Sequence, residues 1–207
     1  MQQTAGLAAH SISCQRGGRL IFRSLSFRLL PGEALLVTGP NGAGKTSLLR
    51  QIAGLLPLAG GELRLDGAGP DAALPELCHY VGHASAVKTS LSVGENLAFW
   101  ADFLDGDRTA LKRALAAFGL AQLADLRAGL LSAGQKRRLA LSRLFAAPRP
   151  IWLLDEPQSS LDAASLKLLD AAIKTHLDTG GIAVVATHVP LKAKFAHQLA
   201  LGKERAS

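Results

Sequence analysis

Residues Gly39 to Gly54 read GPNGAGKTSLLRQIAG, with four glycines, one lysine and one threonine. Just ahead, after a Pro31-Gly32 turn, Glu33 to Thr38 (EALLVT) is apolar on successive residues, the texture of a strand covered on both faces of a parallel sheet. Just behind, Leu48, Leu49 and Ile52 share one face of a helix predicted over Lys45 to Ala53, which Gly54 ends as a left-handed cap. Between strand and helix, Gly39, Pro40, Asn41, Gly42, Ala43, Gly44, Lys45 and Thr46 match the spacing GxxxxGK[ST] in the context that motif requires. Glycines let successive N–H groups converge on a phosphate, and the helix that follows aims its positive dipole end at the same point. Lys45 is then a point charge for the β- and γ-phosphates, the Thr46 hydroxyl a magnesium ligand, and Ser47 the next group of the first turn. These residues predict a site for a nucleoside triphosphate with Mg²⁺.

A second acidic element is needed to hold the metal. Ile151 to Leu154 (IWLL) and Ile182 to Thr187 (IAVVAT) repeat the buried-strand texture, giving three candidate central strands. Asp155 ends the strand IWLL at the edge where open α/β sheets bind ligands, and Glu156 follows as the group that orients or deprotonates attacking water. Leu25, Phe27 and Leu29 alternate with polar residues, as in a strand with one buried face. Ser92-Val93-Gly94-Glu95 is a capping box, Leu111 to Phe118 keeps helical spacing, and Asp162 caps a helix striped by Leu166, Leu169, Ile173 and Leu177. Strands alternating with helices imply a parallel sheet. From about Ala86 to Leu130 there is no buried-strand run, so a helical insertion is expected there.

At 207 residues the chain fits one domain. No apolar run approaches the roughly 18 to 20 residues that span a bilayer. The start, MQQTAGLAAHSISC, lacks the pattern of an export signal, so a cytoplasmic location is expected. Cys14 and Cys78 form no metal-ligand pattern and read as reduced, packed thiols. Of the net charge of +7, the segment Arg108 to Arg149 carries nine Lys or Arg against the single acid Asp125. Such a patch suits nucleic acid, anionic headgroups or an acidic partner, or is a solvated face with none.

Further motifs narrow the class. Leu131-Ser132-Ala133-Gly134-Gln135 resembles the LSGGQ signature of ATP-binding cassette (ABC) ATPases, Ser159-Ser160-Leu161-Asp162 their D-loop, and His188 in ATHVP their switch histidine. The order of these motifs from Gly39 to His188 is that of the family. The resemblance implies an α/β P-loop NTPase fold with a mostly parallel central sheet and an N-terminal antiparallel β subdomain. It implies a single domain over residues 1–207, with a helical subdomain at about 86–135 inserted in a RecA-like core. It implies ATP and Mg²⁺, with Lys45, Glu156 and His188 catalytic and Thr46, Asp155 and His83 around the metal. It also implies a homodimer formed on ATP, each nucleotide lying between one copy's phosphate loop and the other's Ser132, Gly134 and Gln135.

This sequence departs from the family's pattern in three places. Ala133 replaces a signature glycine, so a positive φ is not expected there. His83 stands where a glutamine usually links metal and water to the transporter, and Arg16 stands where an aromatic usually stacks on adenine, a role its planar guanidinium can also fill. Together, CQRGGRLIF, YVGH, KTSLSVGENL, LSAGQKRRLALSRL and PIWLLDEPQSSLD resemble the ATP-binding subunits of cytochrome c maturation haem exporters. For these the resemblance implies ATP hydrolysis on the cytoplasmic side of the bacterial inner membrane, peripheral to a multi-span permease (CcmB-like) and CcmC-like maturation proteins. The basic insertion would then meet that membrane partner, and no nucleic acid is expected. A motor for another cargo and a soluble, non-transport ABC ATPase are the alternatives.

Overall fold

The computed structural model describes residues 6–67, 73–189 and 191–202. In chain order it contains strands β1 (Gly6–Arg16), β2 (Arg19–Leu29) and β3 (Ala34–Thr38), helix α1 (Lys45–Ile52), strands β4 (Gly60–Asp66) and β5 (Cys78–Val81), and helices α2 (Val93–Phe103), α3 (Leu111–Ala117) and α4 (Ala133–Ala146). Strand β6 (Ile151–Asp155), helix α5 (Ala163–Asp178) and strands β7 (Ile182–Ala186) and β8 (His197–Ala200) complete it. β1 pairs antiparallel with β2 on one side and β4 on the other, in the order β2-β1-β4, and the other five form a parallel sheet in the order β5-β6-β7-β3-β8.

Alternation explains the continuous apolar runs. Along β6, Ile151 and Leu153 enter the core on one face of the sheet, with Leu48, Leu49 and Ile52 of α1 and Leu7 and Ile12 of β1. Trp152 and Leu154 enter the opposite core, with Leu169 and Ile173 of α5 and Leu141 and Leu144 of α4. In β7 the odd and even positions divide the same way, so neither face tolerates a polar residue. The three strands expected at the centre are β3, β6 and β7, adjacent in the sheet; the expected number was short by β5 and β8. These two are four-residue edge strands, one carrying His79 and the other mostly exposed, which removes the hydrophobic signal. α1 ends one residue early, at Ile52, with Gly54 at φ 70° beyond it.

Between β5 and β6 the chain is helical, with its own core of Val93, Leu97, Ala114, Leu115, Leu120 and Leu139. Both sides of the capping box at Ser92 and Glu95 are made, and a second capping box joins Ser132 to Gln135 at the start of α4. The nine cations of this region are not one patch. Arg137 and Arg143 are 2% and 3% exposed, and Arg143 sits 4.4 Å over the Trp100 ring while donating to the Tyr80 carbonyl. Arg138 and Arg149 bond the carbonyls of Phe118 and Leu104, and Arg108 pairs with Asp102. Lys112 and Arg113 remain on the open face of α3. Both cysteines are free and buried, and burial pushes the Cys78 thiol up to about 12.

His79 is 3% exposed, and its Nδ1–H donates to the Ala147 carbonyl at 3.2 Å. Burial, reinforced by the nearby Arg143 charge, pushes it down to about 3. A base whose folded pKa lies below its unfolded value of about 6.5 stabilises the fold only while neutral. Stability is therefore full above pH 6.5 and falls as pH drops toward the folded value. Urea unfolding from pH 7.5 to 5 should reveal this loss, and His79→Asn should flatten it by about 1.4 kcal/mol per pH unit below pH 6.5. An unchanged slope in the variant would contradict a neutral His79.

Candidate active site

The site lies at the carboxyl edge of the parallel sheet, where β3 and β6 end on either side of β7. β3 runs into the glycine loop and the loop into α1, whose first N–H groups have no partner inside the helix. Gly44 is at φ 101°, and a Cβ there would lie 2.6 Å from Ile21 Cγ2, so the β1–β2 hairpin closes against the loop only because this side chain is missing. Lys45 is 7% exposed and curls inside the loop, donating from Nζ to the carbonyls of Gly39 at 2.7 Å and Pro40 at 3.1 Å. An ammonium held by two neutral carbonyls keeps its full charge for an anion entering the loop.

Across from it, β6 delivers Asp155, 2% exposed, and the Thr46 hydroxyl donates to Asp155 Oδ2 at 2.8 Å. Tyr80 reaches the same oxygen at 3.4 Å. Glu156 follows at φ 46°, an unfavourable conformation for a side chain of this kind. Its carboxylate accepts from His188 Nδ1, with Oε1 at 3.0 Å and Oε2 at 2.9 Å, and also from Gln158 Nε2. His188 itself is 66% exposed in its side chain, while Glu156 is 16%.

A cavity of about 260 Å³ is lined by Asn41, Gly42 and Gly44 of the loop, by Lys45, Thr46 and Ser47 of the first turn of α1, by Ile21 of β2, and by His83, Asp155 and Glu156. The structure thus gathers the loop, the two acids and His83 around one space. His188 joins them through Glu156. Gly39 and Pro40 supply the carbonyls behind Lys45, and Ala43 N–H donates to Pro40 within the loop. Arg16 is exposed at the tip of the β1–β2 hairpin and is not part of this lining, although Cys14, two residues back, lies against Ser47. Ser132, Gly134 and Gln135 are not brought to the cavity either. They begin α4 beside a second space of about 310 Å³, lined by Ala133, Lys136, Arg137, Ser159, Ser160 and His83. A Cβ on Gly134 would lie 2.7 Å from the Ser160 carbonyl, so this glycine permits the segment after β6 to cross the helix start. Ala133 has no positive φ and takes the first helical position.

Sequence reading missed Arg137 and Gln158. Arg137 shares a helix face with Leu141 and Leu144, a spacing that marks it as inward-facing, whereas its basic neighbours Lys136 and Arg138 make it look like surface charge. Among the described residues no group of three or more His, Cys, Asp or Glu is arranged so as to hold a metal ion by itself. The hydroxyl and carboxylate of Thr46 and Asp155 offer hard oxygen donors beside a phosphate loop, and this donor set fits Mg²⁺.

The ABC transporter family model matches residues 22–159. The chain is 51% identical over 185 residues to the cytochrome c biogenesis ATP-binding export protein CcmA of Bradyrhizobium diazoefficiens, covering 89% of this chain and 92% of that one. It is 49% identical over 199 residues to the protein of the same name from Chelativorans sp., with 95% and 98% covered. Among solved structures, a putative ABC transporter ATP-binding protein from Pyrococcus furiosus superposes with a TM-score of 0.83 at 21% identity, covering 95% of this chain and 98% of that one. A bacterial Atm1-family exporter with ATP bound superposes with a TM-score of 0.77, again at 21% identity, over 91% of this chain and 35% of the longer exporter. With the family model spanning the loop, the signature and the paired acids, and with relatives this similar over nearly the whole length, the chain belongs to the ABC transporter family as an ATP-binding subunit.

Proposed function

We propose that this chain is the ATP-hydrolysing motor of a membrane export system for cytochrome c biogenesis, coupling hydrolysis to haem delivery or to release of a haem-loaded chaperone. The observation that carries the reading is the convergence of Lys45, Thr46, Asp155 and Glu156 on one cavity beneath a glycine loop. Relatives at about half identity, named as cytochrome c biogenesis ATP-binding export proteins, support the choice of export system.

The triphosphate lies along the loop, its charge met by backbone N–H groups and by Lys45 as the ammonium turns from the Gly39 and Pro40 carbonyls. Thr46 and Asp155 would hold Mg²⁺, which when bound would neutralise phosphate charge. Glu156 orients the attacking water and receives its proton, while His188, bonded to that carboxylate, holds the γ-phosphate side. His83 lines both this cavity and the one beside α4, which supports a role for it in linking metal and water to the transporter. Arg16 stacks on the adenine at the hairpin tip.

Ser132, Gly134 and Gln135 complete a second copy's site. The start of α4 lies beside the second space, outside the lining of its own phosphate cavity, and the first-turn N–H groups left over by the capping box suit a phosphate together with the helix dipole. The working unit is therefore a head-to-tail homodimer. The whole chain, residues 1–207, acts as one ABC ATPase domain with a helical subdomain at about 86–135. No described helix is long and apolar enough to cross a membrane. The motor sits peripherally on the cytoplasmic side of the inner membrane, held by a CcmB-like permease with CcmC-like proteins. Lys112 and Arg113 on α3 meet an acidic segment of that partner.

Lys45→Ala should lower kcat for ATP at least ~100-fold with little change in Tm, because an electrostatic stabiliser of the transferred group is lost. Near-parent turnover in that variant would refute the reading. Reversing charge at both Lys112 and Arg113 should abolish co-purification with the membrane subunit while ATPase activity of the isolated chain persists. Undiminished co-purification would remove α3 from the interface.

A further inference from the structure

Arg137, one turn into α4, spends its donors on main-chain carbonyls alone. Nε donates to Pro157 at 3.0 Å, and Nη2 donates to Asp155 at 2.9 Å and Glu156 at 2.8 Å. Nη1 donates to Gly82 at 2.7 Å and approaches the His83 carbonyl at 3.5 Å. A guanidinium is the one side chain whose fixed, planar fork serves acceptors on two separate segments at once. At 2% exposure, water does not substitute for it.

The acceptors occupy telling positions. The peptide plane before Glu156 is held at its N–H by the Ala186 carbonyl at 2.8 Å and at its C=O by Arg137. The plane after Glu156 is held at its C=O by Arg137 again. With both planes fixed, the backbone of Glu156 stays at φ 46°, a value that a glutamate does not adopt unaided. That backbone sets where the carboxylate points. The same guanidinium grips the carbonyls of Gly82 and His83, so the two segments flanking the cavity are keyed to α4.

We propose that Arg137 is the positioning residue for hydrolysis: it fixes the main chain of Glu156, and with it the aim of the water-orienting carboxylate, relative to the helix that carries Ser132 and Gly134. Because α4 begins at the signature, engagement of that helix by a second copy's nucleotide is passed through Arg137 to the acid of its own site. This inference rests on Glu156 acting in ATP hydrolysis as proposed above.

Arg137→Lys keeps charge and stem but concentrates three donors at one point, too few for five carbonyls on two segments. The variant should bind Mg-ATP with affinity and KM within about threefold of the parent, while kcat falls at least ~30-fold from misplacement of the acid. In single-turnover hydrolysis, Arg137→Lys added to Glu156→Gln should lower the residual rate by less than about twofold, since a residue acting through Glu156 has nothing left to act on. A Lys variant that fails to fold, that loses affinity and kcat in parallel, that keeps kcat within twofold, or that multiplies the Glu156→Gln defect by its full single-variant factor would overturn the proposal. Absence of ATP hydrolysis by the parent chain would instead count against the functional reading on which it rests.

Discussion

The hydrogen bond from Thr46 to Asp155 joins the first turn of α1 to the end of β6, across the intervening strand β7. It exists only if β3, β7 and β6 lie side by side and end at the same level. That alignment depends in turn on apolar residues facing both ways from all three strands. Everything chemical in the molecule is placed relative to this contact. The glycine loop hangs from β3, the acids extend from β6, and His188 follows β7 closely enough to reach Glu156. A parallel sheet thereby turns three distant segments into one rim.

Around that rim the structure accepts conformations and burials that cost stability elsewhere in proteins. Glu156 has a positive φ, Lys45 is nearly enclosed without an acidic partner, and Arg137 is enclosed with carbonyls alone. Each is tolerable because its donors or peptide planes are tied on more than one side, and each tie removes freedom from the group it holds. The signature end of α4 is different. Ser132 and Gln135 satisfy each other in a capping box, while Gly134 gives way to the Ser160 carbonyl, and the helix start lies beside the second space, outside the lining of the phosphate cavity.

The sequence exposes most of this rim because its determinants are local. Gly39 to Thr46 carry their spacing within eight residues, Asp155 and Glu156 close an uninterrupted apolar run, and Ser92 and Ser132 each lie three residues before an acid or amide that completes a cap. What stays hidden is whatever depends on distant chain. β5 and β8 are too short and too polar to announce themselves, and their place in the sheet comes from the strands already there. Arg137 and Arg143 look like members of a basic surface because their carbonyl and aromatic partners belong to other segments. Gln158 gives no hint that it turns back on Glu156. Arg16 shows the converse: a role implied by resemblance falls on an exposed hairpin tip outside the cavity lining, where the base itself would have to bring it into contact.

The central claim is that one copy of this chain builds half of each reaction centre and that a second copy, turned end to end, supplies the rest. Sizing the Glu156→Gln variant by light scattering, with and without saturating Mg-ATP, tests it most directly, since slowed hydrolysis traps whatever assembly the nucleotide promotes. The account predicts a mass near 21.6 kDa without nucleotide and twice that value with it. An unchanged single-copy mass in saturating nucleotide would contradict it.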